Sequence, residues 1–264
     1  MTWECIVGDA RNFQSERKFN AVITSPPYFG LRKYGDMQAE IGNQNLSEYI
    51  DSLCDVFDNV REHMTDDATL WVNIGDSYNG SGGAGSDYKE GGIKDGRNKY
   101  GSKNVKGLAK KNLIGVGWAF AQEMQARGWI LRSEIIWNKT KAYPQPENYI
   151  KRPIPNHERI LMFSKSQKYK YIAGQDSTFT VWTFPPVSRS SHEAPFPLDL
   201  PMRCLLLATE IGDWVLDPFG GSGTTAIACE IAGRNSVMVE LYQDTADKMC
   251  EKLSNFEHRD LEWL

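Results

Sequence analysis

The stretch Trp214-Val-Leu-Asp-Pro-Phe-Gly-Gly-Ser-Gly-Thr-Thr-Ala226 decides the fold. Three apolar residues read as a strand, a proline ends it, and a glycine turn leads into a helical run over residues 224–232. Gly221, Gly223 and Ala226 fit the G-x-G-x-x-G/A spacing, in which bare backbone closely approaches a nucleotide cofactor at a helix N-terminus. Glu240 ends the next apolar strand, at about the separation where a carboxylate meets a ribose diol. By itself this loop fits three things: a tight strand-to-helix turn, a nicotinamide dinucleotide site, or another nucleotide-like cofactor.

The same alternation recurs outward from that stretch. Short apolar runs at residues 5–7, 20–24, 69–74, 130–137, 159–163, 214–216 and 236–239 predict strands of a mostly parallel sheet buried on both faces. Helical patterns occupy residues 47–64, 113–127, 201–211, 224–232 and 244–256. Strands separated by helices in this way predict a doubly wound α/β domain spanning residues 1–264.

Two segments break the pattern. Residues 80–111 are rich in Gly, Lys, Asn and Ser, which predicts a long flexible loop; basic residues such as Lys99 and Lys103, with Tyr88 and Tyr100, suit contact with nucleic acid or a solvated tether. Residues 142–155 carry four prolines and read as an extended surface segment.

Composition bounds the rest. The 264 residues are enough to bury a substantial core, and 41% hydrophobic with 24% charged residues is ordinary for a soluble globular chain. No apolar run approaches the ~20 residues that cross a bilayer, so no membrane partner is expected. The N-terminal Met1-Thr-Trp-Glu-Cys5 lacks a signal-peptide pattern, which predicts a cytoplasmic location. The five cysteines are scattered, with no C-x-x-C, and read as reduced core residues. Four scattered histidines suggest no metal site, His157-Glu158 included. A net charge of -4 requires that any surface facing nucleic acid be locally rather than globally positive.

A second stretch, Ala21-Val-Ile-Thr-Ser-Pro-Pro-Tyr-Phe-Gly30, ends a strand in a double-proline corner that carries Ser25 and Tyr28. Asp217-Pro-Phe-Gly-Gly-Ser-Gly-Thr-Thr225 resembles the S-adenosylmethionine loop of the DNA amino-methyltransferases, and Thr24-Ser-Pro-Pro-Tyr28 resembles their catalytic motif. The catalytic motif precedes the cofactor loop, as in the permuted β group of that family. Further similarity runs through Gly8-Asp9, Leu70-Trp-Val-Asn-Ile-Gly-Asp76, residues 131–137, His157-Glu158 and Ala194-Pro-Phe-Pro-Leu198.

The resemblance implies a circularly permuted, seven-stranded methyltransferase sheet, with residues 5–9 lying beside the strand that ends at Glu240. It implies S-adenosyl-L-methionine as cofactor, with Asp9 at its adenine end and Glu240 at its ribose. Thr24, Asp217, Pro218, Phe219, Gly221, Ser222, Gly223 and Thr224 would form the rest of its cradle, and Phe196 and Pro197 would help to close it.

Ser25, Pro26, Pro27 and Tyr28 are the implied catalytic group. The exocyclic amine of a base is a poor nucleophile, because its lone pair is delocalised into the ring. Ser25 Oγ and the Pro26 carbonyl can accept its hydrogens, and Tyr28 can stack on the flipped base. By the resemblance, serine rather than aspartate at position 25 favours N4 of cytosine over N6 of adenine, and a hydroxyl can also donate to a ring nitrogen such as cytosine N3. The implied partner is double-stranded DNA, with Arg32, Lys33, Lys99 and Lys103 as phosphate contacts and Lys139 and Lys141 as weaker ones. A cognate restriction endonuclease would accompany such an enzyme in a bacterium or phage-infected cell. Exposed aromatic residues permit a homodimer. Residues 166–191 are the expected recognition segment, shared with the loop at 80–111. An RNA or protein-glutamine methyltransferase is the nearest alternative.

Overall fold

Alternate side chains of the central strands divide between two helical layers, and that division sets the architecture. The computed structural model describes residues 1–30, 39–42, 44–80, 104–140, 151–174, 179–187 and 196–256. Among these, the strands are β1 (Trp3–Val7), β2 (Phe19–Thr24), β3 (Met64–Ile74), β4 (Ile130–Lys139), β5 (His157–Ser164), β6 (Val181–Phe184), β7 (Trp214–Asp217) and β8 (Asn235–Glu240). The helices are α1 (Leu46–Glu62), α2 (Val116–Ala126), α3 (Asp199–Ala208), α4 (Thr224–Ala232) and α5 (Gln243–Ser254).

Val22, Leu70, Val72, Leu216 and Val237 face one core, where α1 and α2 pack. Their neighbours Ala21, Ile23, Trp71 and Val215 face the other, built with α3 and α4. Met238 joins α4 and α5 in a third cluster through Ala226, Met249 and Leu253. Helix α1 begins where the Asn45 side chain accepts a hydrogen bond from the Glu48 amide at 3.0 Å, which satisfies one of the unpaired N–H groups of the first turn. Its buried stripe is Tyr49, Ile50, Leu53, Cys54, Val56, Phe57 and Val60, at helical spacing.

The sheet order is β1-β8-β7-β2-β3-β5-β4-β6. Only β5 runs against its neighbours. As the sequence led us to expect, β1 lies parallel to β8, pairing Val7 with Glu240. Among the described residues the sheet has eight strands rather than the seven expected. The extra strand, β6, lies inside residues 166–191, the expected recognition segment, and pairs parallel with β4 at the sheet edge. It is only four residues long, yet it alternates fully: Trp182 and Phe184 are buried while Val181 and Thr183 face solvent. Trp182 stacks on Trp71 with centroids 6.3 Å apart, and Phe184 on Trp137 at 5.2 Å. Of residues 80–111, read as a loop, 81–103 lie outside the described residues and 104–111 carry no helix or strand. Val105 packs against the core, and the Asn79 side chain accepts from the Val105 amide at 2.7 Å and donates to the Leu108 carbonyl at 2.7 Å.

From β2 the chain crosses through α1 to β3 on one side, and from β7 it crosses through α4 to β8 on the other. The strand order therefore reverses between β2 and β7. Such a switch point opens a crevice at the carboxyl ends of the strands, where ligands bind in doubly wound folds. Both quoted stretches end there.

If β6 belongs to the folding unit, Trp182→Ala should lower unfolding stability by about 3–5 kcal/mol, as for other buried large-to-small changes. The urea midpoint measures this. A loss below about 1 kcal/mol would make the edge strand peripheral.

Candidate active site

Beyond residue 217, β7 turns through glycine. Gly221 and Gly223 take φ of +50° and +77°, a region that side chains avoid. Gly223 is the N-cap of α4 and makes no side-chain cap bond. Gly220 is held by packing, since a Cβ there would lie 2.9 Å from that of Met238. A Cβ at Gly221 would have only the Phe219 carbonyl within 4 Å, at 3.7 Å, so the outer side of the turn is bare. This positive helix end, with bare backbone before it, fits a nucleotide-like cofactor.

Glu240 stands at the rim of the turn. One carboxylate oxygen accepts from the Gly221 amide at 3.0 Å and the other from the Tyr242 amide at 3.1 Å. Asp9 caps the short turn after β1 and pairs with Arg11 through both oxygens. Burial alone would raise the Asp9 carboxyl, but the Arg11 bonds outweigh it and hold it below its usual range. The Arg11 guanidinium also donates to the Ala39 carbonyl, tying this end to the segment after the proline corner.

Asp217 and Thr24, both implied by resemblance as cofactor neighbours, are placed inside the protein. Asp217 is 1% exposed and accepts from Thr24 Oγ1 at 2.5 Å, Thr225 Oγ1 at 2.7 Å and the Phe219 amide at 3.0 Å. Their contribution is to the shape of the two loops. Burial pushes the Asp217 carboxyl up to about 6, against the two threonine bonds, which favour the charged form. Pro197 is buried and Phe196 packs beside Leu198 on the cluster holding Ile23 and Trp71, at the start of α3.

Across the crevice, the corner at residues 25–28 is held from three directions. The Pro27 carbonyl accepts from the hydroxyl of Tyr49, a fully buried residue of α1, at 2.9 Å. The Tyr28 ring lies against Gly75, where a Cβ would come within 2.6 Å of Tyr28 Cε2. The Tyr28 hydroxyl donates to Glu158 Oε2 at 2.6 Å and accepts from Asn73 Nδ2 at 2.9 Å. Asn73 Nδ2 also reaches Ser25 Oγ at 3.4 Å and Glu158 Oε2 at 3.1 Å. Burial, and then the Glu158 carboxylate, push the Tyr28 phenol well above its ordinary value.

Four contributors were not assigned these roles from sequence: Tyr49, Asn73, Gly75 and Glu158. Asn73 had a visible signal, a lone amide inside the apolar run Leu70-Trp-Val-Asn-Ile74. Lys139, a weaker candidate for phosphate contact, pairs with Glu158 Oε1. Arg32, Lys33, Lys99, Lys103 and Lys141 lie outside the described residues.

A bare glycine turn at a helix N-terminus faces a Ser-Pro-Pro-Tyr corner across the switch point of a doubly wound α/β sheet, the arrangement that the resemblance to the amino-methyltransferases implies. The profile of the DNA methylase family, N6_N4_Mtase, matches residues 19–251, and the chain belongs to that family. It is similar to the Type II methyltransferase M.SmaI of Serratia marcescens, at 39% identity over 274 residues, covering 94% of this chain and 89% of the relative. Its fold is shared with PvuII DNA methyltransferase (cytosine-N4-specific), with a TM-score of 0.72 at 20% identity over 98% of this chain and 90% of that one. It is shared also with the M1.HpyAVI–SAM complex, with a TM-score of 0.60 at 17% identity over 95% and 100%. The chain is thus a DNA amino-methyltransferase, of the cytosine-N4 or adenine-N6 kind, dependent on S-adenosylmethionine.

Gly75→Ala should displace the Tyr28 ring. We expect turnover to fall about 100-fold, as for other misplacements of about 1 Å, with cofactor affinity by calorimetry retained. Unchanged turnover would show that the ring contact is dispensable.

Asp217 also gives a pH prediction. Its carboxyl lies at about 6 in the fold against an ordinary 3.8, so the folded chain binds this proton more tightly than the unfolded one. Its contribution to stability is therefore fully present below about pH 4 and is lost as pH rises through 6. The stability of the native chain relative to Asp217→Asn should fall by up to about 3 kcal/mol between pH 4 and 7. A pH-independent difference in urea midpoints would contradict the assignment.

Proposed function

We propose that this chain is a site-specific Type II DNA methyltransferase that methylates N4 of cytosine, by direct in-line attack of a base flipped out of the duplex. The carrying observation is the hydroxyl of Ser25 at the end of β2, one residue from the Thr24–Asp217 bond that fixes the corner against the cofactor turn. S-adenosylmethionine, when bound, supplies an electrophilic methyl group on a sulfonium. Gly221, Ser222, Gly223 and Thr224 would hold it at the N-terminus of α4, with Pro218 and Phe219 beneath, Glu240 and Asp9 at the rim, and Phe196 and Pro197 at the closing side.

The chain's own residues then orient the amine. Ser25 Oγ and the Pro26 carbonyl take its hydrogens, which directs the lone pair away from them and toward the methyl donor. The Tyr28 ring supplies a stacking surface for the base. The double proline holds these groups at fixed separations, so little orientational freedom remains to be lost when the base arrives. Cytosine is favoured because serine rather than aspartate at position 25 is the form that the family resemblance associates more often with N4, and the fold is shared with a methyltransferase named as cytosine-N4-specific.

DNA contact is assigned to the basic residues of the connecting segments, Arg32, Lys33, Lys99 and Lys103. Many cations of the described body are already tied to carboxylates: Arg127 contacts Asp51, Asp55, Asp58 and Glu123, and Arg11, Arg159 and Lys170 are likewise paired. The similarity to a Type II methyltransferase supports a cognate endonuclease as companion in the cell.

The test is to incubate the protein with S-adenosylmethionine and mixed-sequence duplex DNA, digest to nucleosides, and analyse them by mass spectrometry. N4-methylcytosine is expected. N6-methyladenine would overturn the choice of base while leaving the mechanism, and product from RNA alone would overturn the DNA assignment.

A further inference from the structure

The corner contains a charged group that the direct-attack chemistry does not itself require. Glu158 is the second residue of β5, the one strand that runs against its neighbours. Reversal brings the start of β5 to the same sheet edge as the carboxyl ends of β3 and β4, where β2 also ends. Glu158 pairs in register with Trp137, two residues before Lys139.

The two carboxylate oxygens divide their partners. Oε1 takes the Lys139 ammonium, which also lies over the Trp137 ring at 4.6 Å from its centroid. Oε2 accepts from Tyr28 and from Asn73, at 2.6 Å and 3.1 Å. The same Asn73 nitrogen reaches Ser25 Oγ and Tyr28 Oη, so the end of β2 is bonded to β3 and β5 together. The Glu158 side chain is only 16% exposed, where a hydrogen bond to a carboxylate is stronger and more directional than one in water.

We propose that Glu158 is a positioning residue for methyl transfer: through the Tyr28 hydroxyl and the Asn73 amide it locks the aromatic shelf and Ser25 into one arrangement. Lys139 holds the carboxylate in turn. This rests on the amino-transfer reading of the corner. A tyrosine ring turns about two side-chain bonds, and its packing against Gly75 restrains one face only. The bond from its hydroxyl to a carboxylate on a different strand removes that freedom before the base enters, and misplacements of about 1 Å at a reacting centre lower rates by about 100-fold.

The experiment compares Glu158→Ala, Glu158→Gln, Tyr28→Phe and the Tyr28→Phe/Glu158→Ala double variant. Glu158→Ala should lower kcat by about 100-fold, with KM for S-adenosylmethionine and Tm nearly unchanged. Glu158→Gln keeps an acceptor for the phenol and should recover most of the rate. Tyr28→Phe cuts the same bond, so the double variant should be no worse than the poorer single. Wild-type kcat in Glu158→Ala, or losses that multiply in the double variant, would overturn the proposal.

A second readout needs no turnover. In protein carrying 13C at the tyrosine ring carbon that bears the hydroxyl, the Tyr28 signal, assigned by its loss in Tyr28→Phe, should titrate at lower pH in Glu158→Ala than in the native chain. An unchanged titration would overturn the proposal by itself. Absence of any methylated nucleoside from the native chain would instead sink the amino-transfer reading, and the titration would still decide whether Glu158 clamps the corner.

Discussion

The hydrogen bond from Thr24 Oγ1 to Asp217 Oδ1 couples the two halves of the site. Strands β2 and β7 share only two paired positions, Ala21 with Val215 and Val22 with Leu216, before their chains part toward the proline corner and the glycine turn. Past that point the sheet no longer dictates how the two loops face each other. Asp217 does so, because a buried carboxylate is tolerable only when its lone pairs are met, and the donors that meet them come from β2, from the first turn of α4 and from the turn itself. Any shift of the corner relative to the turn would stretch a bond to a desolvated acid.

A second carboxylate does comparable work at the outer side of the corner. Asp217 is wholly enclosed and bonded to neutral donors, whereas Glu158 keeps some exposure and faces a lysine. The difference has a topological origin. Asp217 lies between parallel strands covered on both faces, while Glu158 opens the reversed strand where the sheet begins to meet solvent. Together the two acids fix the end of β2 from both flanks, and Tyr49 fixes it from the helix layer on one face.

Much of this was legible from the chain. The apolar runs located seven of the eight strands among the described residues, and the pairing of β1 with β8 followed from the permuted order. β6 escaped because four residues with only two apolar contacts inward leave no periodic signal long enough to stand out from the polar stretch around them. Its identity depends on Trp71 and Trp137, which are distant in sequence. Glu158 was visible as a residue, but its partners come from the corner after β2, from β3 and from β4, so no local pattern could disclose its role. The same holds for Tyr49, which lies on the apolar stripe of α1 and is distinguished from it only by the hydroxyl that reaches Pro27. For Thr24 and Asp217, resemblance supplied the positions and the structure supplied the reason: two side chains 193 residues apart share one proton bridge.

The arrangement also bears on how a weak nucleophile is activated. Both acids nearest the corner already accept hydrogen bonds from the protein, Asp217 from two threonines and a backbone amide, Glu158 from Tyr28, Asn73 and Lys139. Neither is arranged as a base aimed at an incoming amine. General-base assistance is worth about 100- to 10,000-fold, or roughly 3–5 kcal/mol. Fixed orientation of the reacting groups is worth about 7–11 kcal/mol where the geometry is near attack. An exocyclic amine becomes strongly acidic only after it has been alkylated, so early removal of its proton gains little, whereas holding its lone pair in line lowers the barrier directly. A corner made of two prolines, a neutral serine and a tyrosine tied at its hydroxyl is what that balance favours.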